Sequence, residues 1–179
     1  MKPMLFTLAA LMLFSNSMCE GFKRSELGLV TGWGSPSGSG VEYAFYPIEP
    51  WSVSAGAGFS FSGTRFSLGS KYFFMAEEFA SPFAGLSLTS SGGLSSLNVN
   101  VNDDKAVYSI NSATFLTPRA GWRFKARNIN WYVNAGYGIV LSGGGVQYES
   151  GSPASNVRDF AKIFSAGGFE LSGSMMFKF

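Results

Sequence analysis

Hydrophobic and polar side chains alternate with a period of two residues along most of the chain from residue 27 onward. The clearest run is 51–62, where six apolar side chains on one face oppose six serines and glycines on the other. Segment 131–142 repeats the alternation 80 residues later. A period of two is typical of strands, because successive side chains of a strand point to opposite faces. The pattern therefore predicts an all-β fold.

Eight such strands can be placed between the turn signals. Pro47 and Pro50 mark one turn, since proline lacks the N–H donor that a strand ladder requires, and 35–39, 76–81 and 125–130 mark others. Eight strands is the prediction, and ten shorter strands are the alternative. The predicted strands are 27–34, 41–46, 51–62, 65–75, one beginning near 82, one ending near 124, 131–142 and 168–179.

The composition of the polar face indicates which face points outward. A soluble barrel shows its polar face to water and needs many charged side chains there, yet only 13% of the residues are charged and 46% are hydrophobic. Serines and glycines suit the narrow interior of an eight-stranded barrel. We therefore predict a closed antiparallel eight-stranded transmembrane up-and-down β-barrel, with short periplasmic turns and longer extracellular loops. The alternative fold is a soluble barrel that binds lipid in its interior.

Aromatic residues make up 16% of the chain and fall at the two ends of the predicted strands. Bilayer interfaces favour aromatic rings at the level of the headgroups. If odd-numbered strands run outward from the periplasm, one belt lies at each interface. The predicted periplasmic belt comprises Phe45, Trp51, Tyr72, Phe74, Trp122, Phe124, Trp131, Phe177 and Phe179, and the extracellular belt comprises Trp33, Phe59, Phe61 and Phe66.

The N-terminus has the features of a secretory signal peptide. Lys2 provides a positive charge, an apolar stretch of about 11 residues follows, and small and polar residues come next. We predict a removed leader at 1–20, with cleavage between 17 and 21, and a barrel domain at 21–179. Cys19 is the only cysteine, so no intramolecular disulfide can form.

The predicted last strand alternates to the final residue of the chain. Its apolar positions are Phe169, Leu171, Met175, Phe177 and Phe179. This ending resembles the C-terminal signal of bacterial outer-membrane barrels, although Ser174 stands where that signal usually has glycine. The mature chain resembles the small eight-stranded outer-membrane β-barrel family, which includes outer membrane protein X and the barrel domain of outer membrane protein A. The resemblance implies a bacterial outer-membrane location, contact with lipid and lipopolysaccharide, and assembly by the barrel assembly machinery through Phe179.

Two long segments are predicted to form extracellular loops. Segment 90–112 alternates on both sides of a polar turn at 102–105, which predicts a protruding hairpin similar to the sheet of outer membrane protein X. Segment 142–165 contains a stretch at 157–164 that could form one or two helical turns. Exposed strand edges favour adhesion or binding of an extracellular protein or ligand, and a loop that only shields the barrel is the alternative. The adjacent Asp103 and Asp104 are read as a solvated turn, because they lack the spaced oxygen ligands of a calcium site.

Four charged residues on different predicted strands face the lumen: Glu42, Lys71, Arg119 and Glu170. Buried charges are costly unless they pair, so we expect ion pairs and hydrogen bonds across the lumen. The family resemblance implies that such a network blocks or gates passage, and both a structural plug and a gated path for small solutes stay open. Arg123 is expected at the periplasmic rim, as is Lys178, and both are expected to be solvated.

The composition also narrows the chemistry. The chain has no histidine, which removes histidine-based triads and metal sites, and a net charge of +2 without a basic block gives no nucleic-acid footprint. We expect no enzyme activity, no cofactor, no metal and a monomer. The predicted function is an envelope-structural or surface-interaction role, and the alternative is a narrow gated channel for small or amphipathic solutes.

Overall fold

The structure is a computed structural model that describes residues 24–101, 104–151 and 167–179. No helix within these ranges is long and apolar enough to span a bilayer. The described residues form the strands β1 Ser25–Trp33, β2 Ser39–Ile48, β3 Trp51–Ser60, β4 Gly63–Phe73, β5 Ala80–Ser91, β6 Leu94–Val101, β7 Asp104–Ile110, β8 Ala113–Lys125, β9 Ile129–Gly143, β10 Val146–Gly151 and β11 Gly168–Lys178. The predicted leader at 1–20 with Cys19, the helical turns at 157–164, Asn102 and Asp103 lie outside the described residues.

Eight of these strands close into a barrel in the order β1-β11-β9-β8-β5-β4-β3-β2. All neighbouring pairs are antiparallel, and β1 closes the ring by pairing with both β2 and β11. The eight-stranded closed barrel predicted from the sequence is confirmed. We call the end with the β2–β3, β4–β5 and β8–β9 turns and Phe179 the turn end. The opposite end, where the β5–β8 and β9–β11 connections emerge, is the loop end.

The ends of several strands differ from the predicted ones. Strand β2 continues past its predicted end at 46 and runs through Pro47 to Ile48. The ladder with β3 shifts register between Phe45 and Ile48, so the irregularity falls where proline has no N–H to donate. Strand β1 begins at Ser25, two residues before the prediction, which brings Glu26 into the barrel wall.

Apolar side chains cover the outside of the barrel, as the alternation predicts. On β3, Trp51 is 44% exposed while its neighbour Ser52 is 1% exposed. The interior is narrow where small residues line it. A Cβ atom added to Gly56 would overlap Ser37 Oγ, because β3 and the β1–β2 turn approach closely inside the barrel. The prediction that the apolar face of each strand points outward is therefore confirmed.

The interior at the turn end is a hydrophobic core, which the sequence analysis did not predict. The prediction that serines, glycines and a few charged residues fill the lumen is wrong at the turn end. Phe73 and inward side chains from four other strands project towards the barrel axis, where they pack against one another. The buried members are Ala44, Tyr46, Phe73, Phe83, Tyr132 and Met176.

A second, three-stranded sheet continues beyond the loop end in the order β10-β7-β6. Strands β6 and β7 pair antiparallel, from Leu94 opposite Ile110 to Val101 opposite Asp104. This pairing confirms the predicted hairpin within 90–112. Strand β10 adds to β7, an extension that the sequence analysis did not predict because it treated the two long loops separately.

Candidate functional site: the barrel lumen

The middle of the lumen holds the four charged residues selected from the sequence. Glu42 lies on β2, Lys71 on β4, Arg119 on β8 and Glu170 on β11, and none is more than 6% exposed. Lys71 Nζ lies 2.7 Å from Glu42 Oε1. Their strands flank β3, whose inward residues between them are serine and glycine, so the two side chains can meet across it. The result is a short, buried ion pair.

The second pair in this layer is looser. Arg119 Nη1 lies 3.8 Å from Glu170 Oε1, beyond ordinary hydrogen-bond distance. Glu170 Oε1 accepts a hydrogen bond from Ser172 Oγ at 2.7 Å. Among the described residues, Arg119 Nε and Glu170 Oε2 have no hydrogen-bond partner. The two central pairs therefore differ in geometry: one is directly bonded, and the other leaves donor and acceptor positions available.

A polar cluster at the turn end centres on Glu26, which the sequence analysis missed. Its carboxylate accepts hydrogen bonds from Tyr132 Oη at 2.7 Å and from Asn130 Nδ2. The hydroxyls of Tyr46 and Tyr132 lie 2.7 Å apart. Extending the predicted alternation of the first strand by two residues would have identified Glu26 as an inward side chain, since Gly28 has the same parity.

Arg123 is buried in this turn-end layer and is not solvated at the rim as predicted. Its side chain is 3% exposed, and its guanidinium carbon lies 4.0 Å from the centroid of the Phe73 ring. Its Nη2 donates to the carbonyl of Ala76 at 2.8 Å. The prediction was wrong because it omitted the inward aromatic core, which attracts the cation through the ring face. Lys178 donates to the carbonyl of Ala126 at 2.6 Å.

The loop-end layer contains a further buried cation, Arg65, which was not among the predicted lumen charges. It is 4% exposed. Its Nη1 donates to the carbonyl of Ser35 at 2.7 Å, and its Nη2 donates to Ser62 Oγ at 2.9 Å. Its guanidinium carbon lies 5.1 Å from the centroid of the Phe115 ring. The alternation of β4 could have identified Arg65, because it shares the inward parity of Lys71.

Inward side chains thus fill the lumen at three levels along its axis. Glu26 and Arg123 lie near the turn end, the two central pairs lie in the middle, and Arg65 lies near the loop end. Within the described ranges, no three His, Cys, Asp or Glu side chains converge to hold a metal ion. The arrangement offers paired and partly paired charges in a narrow space, which can obstruct passage or select by charge.

The predicted aromatic belts lie on the outside of the barrel. At the turn end, Trp51 is paired across strands with Tyr72, and Phe124 is paired with Trp131. Phe45 and Phe124 are half-buried. The other members are exposed by 39% or more: Trp33, Trp51, Phe59, Phe61, Phe66, Tyr72, Phe74, Trp122, Trp131, Phe177 and Phe179.

The loop-end members of the belts lie on β1, β3, β4 and the β3–β4 turn. The ring centroids of Trp33 and Phe61 lie 5.9 Å apart. Phe59 and Phe66 lie on β3 and β4 near the same end, and both side chains point outward. The rings therefore occupy two bands separated by aliphatic side chains.

No family model matches the chain, and no curated protein sequence matches it. Among solved structures, the N-terminal β-barrel domain of Pseudomonas aeruginosa OprF matches with a TM-score of 0.56 and 11% identity, over 89% of this chain and 100% of that one. Neisserial surface protein A matches with a TM-score of 0.43 and 14% identity, over 87% and 95%. Acinetobacter baumannii CarO matches with a TM-score of 0.40 and 10% identity, over 88% and 97%. The closed eight-stranded barrel and the OprF match show that the chain has the fold of the small eight-stranded outer-membrane β-barrels that its sequence resembles.

Proposed function

We propose that the protein spans a bacterial outer membrane as a closed barrel with a structural plug, and that it serves a surface-interaction role through the sheet beyond its loop end. The observation that carries the proposal is the apolar exterior of a barrel in which every strand pairs with both of its neighbours. Exposed apolar side chains occur on all eight barrel strands. In water such a surface would be unfavourable, whereas lipid suits it and the closed ladder leaves no unpaired edge in the hydrocarbon.

The two aromatic bands support the membrane placement. Amphipathic rings favour the headgroup region, and a band of aliphatic side chains between them matches the hydrocarbon. In this placement the turn end faces the periplasm and the loop end faces outward. We propose that Phe179, which lies at the turn end, contacts the barrel assembly machinery, and that lipid and lipopolysaccharide surround the barrel.

The surface role is supported by the three-stranded sheet beyond the barrel. Within the described residues, β6 and β10 each pair on one side only. An unpaired strand edge can accept an extended segment of a partner protein through main-chain hydrogen bonds. The partner proposed here is an extracellular protein or ligand. We propose that the barrel is monomeric. We also propose that it has no catalytic, cofactor-binding or nucleic-acid-binding role.

Two measurements test this proposal separately. Membrane placement predicts recovery in the outer-membrane fraction and heat-modifiable migration, in which the unheated barrel migrates faster than the boiled one. Recovery in the soluble fraction without detergent would contradict it. Replacing 94–110 with a short turn should preserve heat-modifiable migration and abolish binding to the cognate surface. Unchanged binding by a variant that lacks β6 and β7 would contradict the surface role.

A narrow gated channel is the second candidate, and the loose Arg119–Glu170 pair favours it. A guanidinium 3.8 Å from its carboxylate can exchange partners more readily than the directly bonded Lys71–Glu42 pair. Planar-bilayer recording distinguishes the candidates. A plug predicts no discrete conductance steps, whereas a channel predicts steps whose size changes in Arg119→Ala and stays the same in the rim variant Lys178→Gln.

A further inference from the structure

The barrel wall has a gap at the loop end between β1 and β2. The β1–β2 ladder ends at the pair Val30 and Gly40. Beyond it, the backbone of residues 31–33 pairs with β11 and that of Ser39 pairs with Phe59 on β3, and only the side-chain hydroxyls of Thr31 and Ser39, 2.9 Å apart, join β1 to β2. A cleft of about 480 Å³ occupies this gap. The cleft therefore lies where the backbone ladder between β1 and β2 ends, and none of the four central charged residues lines it.

The inner side of the cleft is lined by the buried cation Arg65. Lys71 and Arg119 each have a carboxylate within 4 Å, but among the described residues no carboxylate lies that close to Arg65. A guanidinium has five N–H donors, and described residues accept three hydrogen bonds from it. A buried charge without a counterion is costly. Arg65 therefore has two guanidinium donors without an acceptor among the described residues, and no carboxylate there contacts it directly, so it can bind an anion.

The outer side of the same cleft is aromatic. Trp33, Phe59 and Phe61 line it and are exposed by 46%, 70% and 63%. In the proposed membrane placement these rings lie at the outer-leaflet interface. One cleft thus joins an apolar surface facing lipid to a cation inside the wall, and its volume lies within the usual range for small-molecule sites.

We infer that this cleft binds an anionic amphiphile of the outer leaflet, with its phosphate or carboxylate headgroup at Arg65 and its hydrocarbon chain against Trp33 and Phe61. The guanidinium fork matches the two oxygens of either headgroup and forms charge-assisted hydrogen bonds with them. The aromatic rings bury part of the chain. Free phosphate offers the same charge but lacks the chain. The inference rests on the proposed membrane placement and goes beyond the proposed surface role.

Tryptophan quenching tests the inference, because Trp33 lies at the loop end and the other three tryptophans lie at the turn end. In a variant with Trp51, Trp122 and Trp131 replaced by phenylalanine, a chain-brominated alkyl phosphate added to zwitterionic nanodiscs should quench Trp33 saturably. A chain-brominated alkyl maltoside should quench it much more weakly. The converse variant, Trp33→Phe, should show no saturable component. Equal saturable quenching by the phosphate and the maltoside would overturn the inference.

Substitutions then test the two halves of the site. Arg65→Gln should weaken alkyl phosphate binding about tenfold or more, the usual consequence of losing a charged hydrogen-bond partner, whereas the exposed turn-end variant Arg127→Gln should not. If Arg65→Gln fails to fold, Phe61→Ala provides the test. It should weaken binding, while Phe79→Ala, a similarly exposed phenylalanine at the turn end, should not.

Two further outcomes separate the possible errors. Inorganic phosphate that displaces the alkyl phosphate at comparable concentration would show a small-anion site and overturn the amphiphile assignment. Equal effects of Arg65→Gln and Arg127→Gln would overturn the role of Arg65. A failure of membrane placement is recognised independently, because such a protein would not show heat-modifiable migration in the same nanodisc preparation before any probe is added.

Discussion

The two ends of the lumen are filled by different chemistry. At the turn end, aromatic rings pack closely, with the centroids of Phe73 and Phe83 5.5 Å apart and those of Phe83 and Tyr132 6.1 Å apart. At the loop end, hydroxyl groups dominate, and Ser37 Oγ lies 2.7 Å from Ser67 Oγ. Ring packing excludes water over a large area, whereas short hydroxyl side chains leave room beside them.

Backbone pairing follows the same division. The β1–β2 ladder begins at Ser25 opposite Phe45 near the turn end and stops at Val30 opposite Gly40 on the loop-end side. The tightly packed end is therefore also the end at which β1 and β2 are paired. This comparison indicates that the turn end stabilises the barrel. At the loop end β1 and β2 are no longer paired and the interior is less closely packed, and the cleft lies there.

The largest expected effect on stability comes from removing an aromatic ring from the turn-end core. Phe73→Ala removes a ring that is 1% exposed and contacts Tyr46, Phe83, Tyr132 and Arg123. Large-to-small substitutions of this kind cost about 3–5 kcal/mol. The free energy of unfolding, measured by denaturant titration in lipid vesicles, should fall by this amount. The neighbouring Phe74→Ala is the control, because Phe74 points outward. Equal losses in the two variants would contradict the division between core and lipid-facing rings.

A smaller effect is expected from the hydrogen bonds of the same end. Tyr132→Phe removes the hydroxyl that donates to Glu26 at 2.7 Å and contacts the Tyr46 hydroxyl. Hydrogen bonds to charged groups contribute about 1.5–3 kcal/mol, so the free energy of unfolding should fall by that amount. Tyr137→Phe, on the outward face of the same strand, should change it little. A near-neutral Tyr132→Phe would show that the Glu26 cluster does not stabilise the turn end.

The parts of this division that depend on strand parity could be predicted from the sequence. The outward face of β3 and the inward positions of Glu42, Lys71, Arg119 and Glu170 follow from the period of two, because parity alone decides the face. The same rule places Phe73 inward, because it lies two residues after Lys71 on β4. Three consecutive aromatic residues, Tyr72 to Phe74, leave no contrast between apolar and polar positions there, so the pattern does not show that the inward rings form a core.

The contacts that the inward residues make with one another could not be predicted from the sequence either. Parity places Arg119 and Glu170 in the lumen, but their distance of 3.8 Å depends on strand register and on the depth of each side chain. Likewise, the gap between β1 and β2 depends on where the ladder ends. A turn of glycines, serines and one proline at 34–39 is compatible with several such endings. Faces follow from local pattern, whereas contacts across the barrel require the closed structure.

The smallest expected change lies at the loop end and links stability to binding. Ser62 Oγ accepts from Arg65 Nη2 at 2.9 Å and from Arg65 Nε at 3.2 Å. Ser62→Ala should lower the free energy of unfolding by about 1.5 kcal/mol, the low end of the range for hydrogen bonds to charged groups, because the guanidinium keeps its bond to the Ser35 carbonyl. The control is Ser52→Ala at the turn end, whose buried hydroxyl has no partner among the described residues.

The same variant should tighten alkyl phosphate binding, since the released guanidinium donors become available to the headgroup. The comparison of the two ends predicts this opposite sign: at the turn end a lost hydrogen bond only destabilises, whereas at the loop end it also frees a ligand group. Titration of Trp33 quenching in Ser62→Ala measures the change. Weaker binding in Ser62→Ala than in Ser52→Ala would show that Ser62 positions Arg65 for the ligand and does not compete with it.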